Sequence, residues 1–199
     1  DVLLIAGDVF DSPNPSAESQ RMYYRFLREV TAGNPSLQII IIAGNHDSAA
    51  RLEAPNPLLE NLNITVRGIV RRNAESNIDL QHLIVPIYTV SSDSPVRSDA
   101  SSRPLSTVSL NIPPHREIAA YCLAVPYLRQ GDYPSAETYS KGIQQLYEQL
   151  FNEVKEKGKP VVAMGHLQAT GSEISEDDRS ERTVIGGLEC VSPDAFDEA

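Results

Sequence analysis

The amino-acid sequence predicts an α/β fold in which helices cover buried strands and a second sheet packs against the first. The isoleucine run at residues 39–42 is β-branched and bounded by turn-forming residues, which is typical of a parallel strand buried on both faces. A strand, a helix and a strand follow one another over residues 2–42, as in a βαβ unit. Short β-type runs over residues 63–125 predict the second sheet.

The first half of the chain carries two predicted helices. Ser16 follows a turn and is expected to cap the first helix, which Gly33 ends. Apolar residues recur in this helix at steps of three and four and predict one apolar stripe: Met22, Tyr23, Phe26, Leu27 and Val30. The second helix is predicted to start near Ser48 and to be interrupted at residues 55–57, where two prolines occur.

The second half begins with β-type runs at residues 64–66, 83–90, 108–110 and 119–125. Residues 91–104 are rich in Ser, Asp, Pro and Arg, which predicts a flexible excursion within one domain over residues 1–199. The clearest helix is predicted over residues 139–157, because apolar residues mark one face and Gly158 follows it. It leads into a strand at residues 161–164. A charged loop is expected at residues 172–182, and residues 184–187 return toward the sheet.

Composition limits the class of protein. The 199 residues are 41% hydrophobic and 22% charged, as in ordinary soluble globular domains. Cys122 and Cys190 lie far apart in apolar surroundings, which predicts no disulfide framework and a reducing, cytoplasmic compartment. No run approaches the ~18 apolar residues of a membrane span, so no membrane association is expected. The net charge of −10 does not favour a general nucleic-acid coat. Metals and a local basic groove could still carry phosphate contacts.

Three apolar runs end in the same way, with a glycine followed by a polar side chain. The tips are Gly7-Asp8, Gly44-Asn45-His46-Asp47 and Gly165-His166. Ligands bind at the carboxyl ends of strands in α/β sheets, so we expect these three buried-type strands to bring Asp8, Asn45, His46 and His166 together along one edge. Carboxylate, amide and imidazole donors suit Mn, Fe or Zn. Such a site could neutralise a phosphodiester for hydrolysis.

These motifs resemble the calcineurin-like metallophosphoesterase superfamily. The wording GDVFDS, GNHDSAARLE and VVAMGHLQATG is most similar to its SbcD family of nuclease subunits. The resemblance covers nearly the whole chain and implies a two-sheet α/β/β/α sandwich, truncated here. It also implies a manganese-dependent DNA nuclease acting in double-strand-break repair and recombination, with 3′-to-5′ double-strand exonuclease and single-strand endonuclease activity. The implied partners are DNA, an SbcC-type ATPase and a second copy of the chain. The homodimer contact would use the first two predicted helices, although both helices could equally well face the sheet.

The resemblance also implies roles for individual residues. Asp8 would bridge two metal ions, and Asn45 and His166 would complete the ligands that this chain supplies to one of them. His46 would point at the phosphate as a leaving-group acid or a stabiliser of charge, and Asp47 would orient it through a hydrogen bond. Asp11 is expected to fix the turn instead of binding metal.

Two further family motifs, Asp-x-His and Gly-His-x-His, do not occur in these residues. We therefore expect a fragment of a two-metal enzyme that holds at most one ion weakly and is inactive alone.

Other readings of these residues remain open. A phosphatase or cyclic-nucleotide phosphodiesterase would use the same ligands, and a non-catalytic repair scaffold would need none of them. Each short tip alone could be a turn, and Asp47 or Ser48 could simply cap a helix. Three arginines could approach DNA or be solvated: Arg51, Arg71 and Arg72. His82 and His115 are expected to be structural or on the surface, and Cys122 to lie in the core.

Overall fold

The computed structural model describes residues 1–90, 116–168, 191, 192 and 196. Within these residues the chain forms two three-stranded sheets. The first sheet is parallel, in the order β1 (Val2–Ala6), β2 (Gln38–Ile42), β3 (Ile64–Arg67). The second has the order β4 (Ile84–Val90), β5 (Arg116–Ala124), β6 (Val161–Met164); β4 and β5 are antiparallel, and β5 and β6 are parallel. Helices pack on the outer faces, so the predicted α/β/β/α sandwich is confirmed.

Strand β2 lies at the centre of the packing. Ile39 and Ile41 belong to the apolar cluster shared with the helices, whereas Ile40 and Ile42 belong to the cluster between the two sheets. All four side chains are completely buried. Because alternate residues of a strand point to opposite faces, an unbroken isoleucine run fills both layers at once. The prediction of a strand buried on both faces is confirmed.

Helix α1 (Ala17–Gly33) begins where the sequence predicted, with the Ser16 hydroxyl accepting a hydrogen bond from the Ser19 N–H. Its predicted apolar stripe is only half buried. Tyr23 and Leu27 pack into the core, but Met22 is 60% exposed and Phe26 is 44% exposed. The stripe is therefore wider than the surface that the sheet covers.

The second predicted helix is divided as expected. Helix α2 (Ala49–Glu53) follows Ser48, helix α3 (Asn56–Leu59) begins after Pro55, and a 3₁₀ turn continues over Glu60–Leu62. Leu52 and Leu59 contribute to the core of the first sheet. These short helices place the residues that follow the Gly44-Asn45-His46-Asp47 tip against the sheet.

The sequence analysis assigned some strands to the wrong sheet. The run at residues 64–66 pairs with β2 in the first sheet, and β6 belongs to the second sheet. The two outer strands β1 and β6 are also less buried than predicted, since among the described residues β1 pairs only with β2 and β6 only with β5. Strand order is set by contacts between distant segments, which local periodicity does not contain.

The outer layer of the second sheet is helical. Helix α4 (Leu80–Leu83) precedes β4, and helix α5 (Tyr139–Asn152) covers the sheet with its predicted apolar face. The helix predicted over residues 139–157 ends earlier, and a 3₁₀ turn at Lys155–Lys157 leads to Gly158, which has a φ of 62°. None of the helices in the described ranges is long and apolar enough to cross a membrane.

Several predicted features lie outside the described residues. They are the excursion at 91–104, the run at 108–110, the loop at 172–182, residues 184–187, His115 and Cys190.

Candidate metal centre

The three glycine-containing tips meet at one place. His166 Nε2 lies 2.8 Å from Asn45 Oδ1 and 3.4 Å from Asp8 Oδ2. Asp8 follows β1 and Asn45 follows β2, whereas His166 follows β6 of the other sheet. The site thus lies where the carboxyl ends of β1 and β2 meet the carboxyl end of β6. The expectation that the edge of one sheet carries all of these residues was wrong.

A hydrogen bond at the other ring nitrogen fixes the orientation of the His166 ring. Its Nδ1 lies 3.1 Å from the carbonyl oxygen of Ala6. Because a carbonyl can only accept, Nδ1 is the donor of this hydrogen bond. In a neutral imidazole with its proton on Nδ1, Nε2 is the nitrogen that can bind a metal, and it faces a carboxylate oxygen and an amide oxygen. Carboxylate, amide and imidazole groups that face one another could hold a cation between them.

The distances among these atoms suit one divalent ion. Ligands held at about 2.1 Å in neighbouring octahedral positions lie about 3.0 Å apart, close to the 2.8 and 3.4 Å found here. Among the described residues, no group of three or more His, Cys, Asp and Glu side chains could hold a metal ion. The third donor of this set is the Asn45 amide. Asp8, Asn45 and His166 together could supply three ligands of one ion.

Two glycines allow the tips to approach so closely. A Cβ atom at Gly44 would overlap the carboxylate and backbone nitrogen of Asp8, and one at Gly7 would overlap the His166 imidazole. Asp8 itself has a φ of 45°, in the left-handed region that few side chains adopt. Its Oδ1 accepts a hydrogen bond of 3.0 Å from the His46 N–H, so backbone strain and a cross-loop bond together aim this carboxylate.

The Asp47 side chain bonds the backbone of two loops instead of the predicted partner, His46. Its side chain is buried, and its two oxygens accept three backbone hydrogen bonds, from Val9 N at 3.1 Å, Phe10 N at 3.0 Å and Gly44 N at 2.8 Å. Within the described part of the chain Asp47 makes no hydrogen bond to His46, and its partners are these three backbone amides. Asp47 ties the loop after β1 to the loop after β2.

The carboxylate found beside His46 is that of Asp11. Its Oδ1 lies 4.0 Å from His46 Nδ1, and its side chain is 90% exposed. The sequence analysis gave Asp11 only a role in the turn. The sequence places Asp11 three residues after Asp8, in Gly7-Asp8-Val9-Phe10-Asp11. Which of these two carboxylates lies beside His46 is decided only by the folded backbone.

Comparison with known proteins shows which family the chain belongs to. The family model for calcineurin-like phosphoesterase matches residues 1–190. The chain belongs to the calcineurin-like phosphoesterase family. It is 36% identical over 210 residues to the SbcD subunit of the SbcCD nuclease from Rhodobacter capsulatus, covering 100% of this chain and 45% of that protein. It is 26% identical over 213 residues to the SbcD subunit from Escherichia coli K12, covering 100% of this chain and 44% of that protein. The chain thus spans less than half the length of these relatives.

Two tyrosines lie against the Gly165-His166 tip of this candidate site, and the sequence analysis did not assign them to it. The buried Tyr147 hydroxyl donates a 2.9 Å hydrogen bond to the carbonyl of Met164, directly before the Gly165-His166 tip. Burial raises the pKa of Tyr147, so the hydroxyl stays a neutral donor. The Tyr127 ring meets the His166 ring edge-on at 6.3 Å. The sequence analysis placed Tyr147 only on the apolar face of a helix. In sequence, a tyrosine on such a face that also supports a site looks the same as one that only packs in the core.

The three arginines considered for DNA contacts all have partners within the chain. Arg51 donates to Pro13 O and Asn14 Oδ1, both at 2.9 Å. Arg71 pairs with Glu53, and Arg72 donates to two backbone carbonyls.

One prediction about a single residue is confirmed: Cys122 is a free thiol in the core, where burial raises its pKa to about 12. His82, predicted to be structural or on the surface, has a largely buried side chain at the outer edge of β3.

Proposed function

We propose that the intact protein is a metal-dependent DNA nuclease subunit of the SbcD type, acting in double-strand-break repair and recombination. Two observations support the proposal: the family match, and relatives that are named as the SbcD component of the SbcCD nuclease. The observation that carries it in the structure is the convergence of Asp8, Asn45 and the His166 Nε2 atom on one point. The proposed activities are 3′-to-5′ double-strand exonuclease and single-strand endonuclease, with an SbcC-type ATPase as partner.

Each residue of the site would contribute a separate part of phosphodiester hydrolysis. Asp8, Asn45 and His166 would hold a divalent ion, with Asp8 able to bridge to a second. When bound, such ions neutralise phosphate charge and lower the pKa of water. The proposed role of His46 is to face the phosphate and give a proton to the leaving oxygen or stabilise its charge. Asp11, whose Oδ1 lies 4.0 Å from His46 Nδ1, would help to position the imidazole ring.

The ligand count limits what the 199-residue chain can do. It supplies three donors to one ion and only the bridging Asp8 to a second, because Asp-x-His and Gly-His-x-His motifs do not occur in it. We infer that the chain binds at most one ion, weakly, and does not turn over DNA. The intact protein would bind two Mn²⁺ or similar ions.

A homodimer is part of the proposal. Large apolar side chains are exposed on α1 and in the α3 region: Met22, Tyr24, Phe26, Leu58 and Leu62. Leu58 is the most exposed of them at 74%. Apolar side chains at such exposure favour association with another surface. The cytoplasmic location inferred from the two cysteines likewise stays a prediction.

The decisive experiment is Mn²⁺-dependent cleavage of linear duplex DNA. Three proteins are compared: this chain, a chain extended at both ends, and the extended chain with His46→Ala. The proposal expects cleavage only by the extended wild type. If the extended chain binds Mn²⁺ but releases phosphate only from small esters, the function is that of a phosphatase. If it binds no metal and still associates with DNA-repair partners, it is a scaffold.

A further inference from the structure

A second polar pocket lies away from the metal centre, at the outer edge of β3. It has a volume of about 520 Å³, and its polar lining is Glu53, Asn56, Glu60, Arg67, Arg71 and His82. Arg67 is the last residue of β3, in register with Ile42 at the end of β2. The pocket therefore lies beside the carboxyl end of the same sheet that supplies Asp8 and Asn45.

The buried hydrogen-bond acceptors of this pocket are already used. Glu53 is buried, and its Oε2 accepts from the backbone N–H groups of Gly68 at 2.9 Å and Ile69 at 3.0 Å, while Oε1 accepts from Arg71. Asn56 is also buried, and its amide bonds both the N–H and the carbonyl of Val66. A cation entering the pocket would find no free buried oxygen on these two side chains.

The donors, in contrast, are not all used. The His82 side chain is only 9% exposed, and its Nε2 has no hydrogen-bond partner among the described residues; Glu53 Oε1 is 3.7 Å away. Arg67 donates from Nε to the His82 carbonyl and from Nη1 to Val66 O, and within the described part of the chain Nη2 makes no hydrogen bond. Of these two atoms His82 Nε2 is the buried one, and a buried polar atom without a partner is uncommon and costly.

The charges nearby leave this set with one positive charge that lacks a buried partner. Burial lowers the pKa of His82 to about 4, and the neighbouring Arg67 and Arg71 add to the effect, so the imidazole is neutral at pH 7. Buried Glu53 is offset by Arg71, which leaves the guanidinium of Arg67 without a buried counter-charge. Glu60 is exposed, so water screens its charge. The Asp79 carboxylate caps α4 by accepting from the His82 N–H.

We propose that this pocket binds a phosphate-type oxyanion, which accepts hydrogen bonds from His82 Nε2, Arg67 Nη2 and the exposed side of Arg71. The oxyanion supplies the acceptors that these donors lack, and a guanidinium matches its geometry. The same chemistry is offered by free phosphate and by a backbone phosphate of DNA. The pocket is independent of the metal centre, so it does not rest on the proposed nuclease activity.

The test is a titration of the 199-residue chain with inorganic phosphate in EDTA, followed by NMR of the arginine Nε–H and histidine ring signals. We expect the signals of Arg67 and His82 to shift. Each of Arg67→Gln and His82→Leu should weaken binding about tenfold or more, as for loss of a charge-assisted bond. His82→Leu also guards against misfolding, because it replaces a buried ring with an apolar side chain.

The matched control is Arg28→Gln, since Arg28 lies exposed on α1 and contacts only its neighbour Glu29. It should bind phosphate as the wild type does. The proposal is overturned if neither signal shifts, or if all three variants bind alike.

A second arm identifies the source of the oxyanion. A single-stranded oligonucleotide is titrated in EDTA against the phosphate-loaded chain. If it displaces phosphate and Arg67→Gln weakens both ligands, the pocket takes a DNA backbone phosphate. If only inorganic phosphate responds to the substitution, the oxyanion is a free one. Because EDTA removes divalent ions, failure of nuclease activity and failure of this binding are distinguishable.

Discussion

Replacing Asp47 with asparagine should destabilise the fold before it affects any chemistry. The carboxylate is buried and accepts three backbone hydrogen bonds of 2.8 to 3.1 Å from two different loops. An amide can accept with one oxygen only, and its NH₂ group then faces at least one N–H donor. Hydrogen bonds to a charged group contribute about 1.5–3 kcal/mol each, and an unsatisfied buried donor costs about 1–3 kcal/mol.

The expected loss is therefore about 3–4 kcal/mol of unfolding free energy, since such effects are not fully additive. In a chain of this size that corresponds to a fall in Tm of about 6–16 °C. Thermal unfolding followed by circular dichroism measures it. The control is Asp11→Asn, whose side chain is 90% exposed and should leave the Tm unchanged. If Asp47→Asn melts with the wild type and with the control, Asp47 does not tie the loops together.

Three further predictions concern the site and its surroundings. In a chain extended at both ends, Asp11→Asn should lower DNA cleavage about 10- to 100-fold while Mn²⁺ binding stays unchanged, because the Asp11 carboxylate lies beside His46 and is not one of the proposed metal ligands; equal rates would refute this. Gly44→Ala should cost about 1–3 kcal/mol in urea unfolding because its Cβ overlaps Asp8, whereas Gly33→Ala, with open space around it, should cost nothing. The pKa of His82 is lowered from its ordinary value of 6.5 to about 4 in the folded chain. The contribution of the neutral imidazole to the free energy of unfolding is therefore fully present above pH 6.5 and is lost as the pH falls toward 4. Unfolding of His82→Leu should lack this pH dependence, and an identical profile would contradict it.

The apolar stripe of α1 was predicted correctly from the sequence, but how much of it is buried was not. The three- and four-residue steps identify a helix and its apolar side, and Ser16 caps it as predicted. Yet Met22 and Phe26 of that side remain exposed, while Tyr23 and Leu27 are buried. Periodicity reports which residues share a side, but the width of the sheet beneath decides how many are covered.

The sequence by itself determined the parts of this protein that depend on neighbours along the chain. An isoleucine run gave a doubly buried strand, and glycine followed by a polar side chain marked each tip, because these preferences act over a few residues. Only the tertiary structure decided which tips meet and what Asp47 holds. His166 and Asn45 are separated by 121 positions, and Asp47 bonds a backbone N–H 38 positions away. Contacts over such separations follow from strand pairing and sheet packing, which no local pattern encodes.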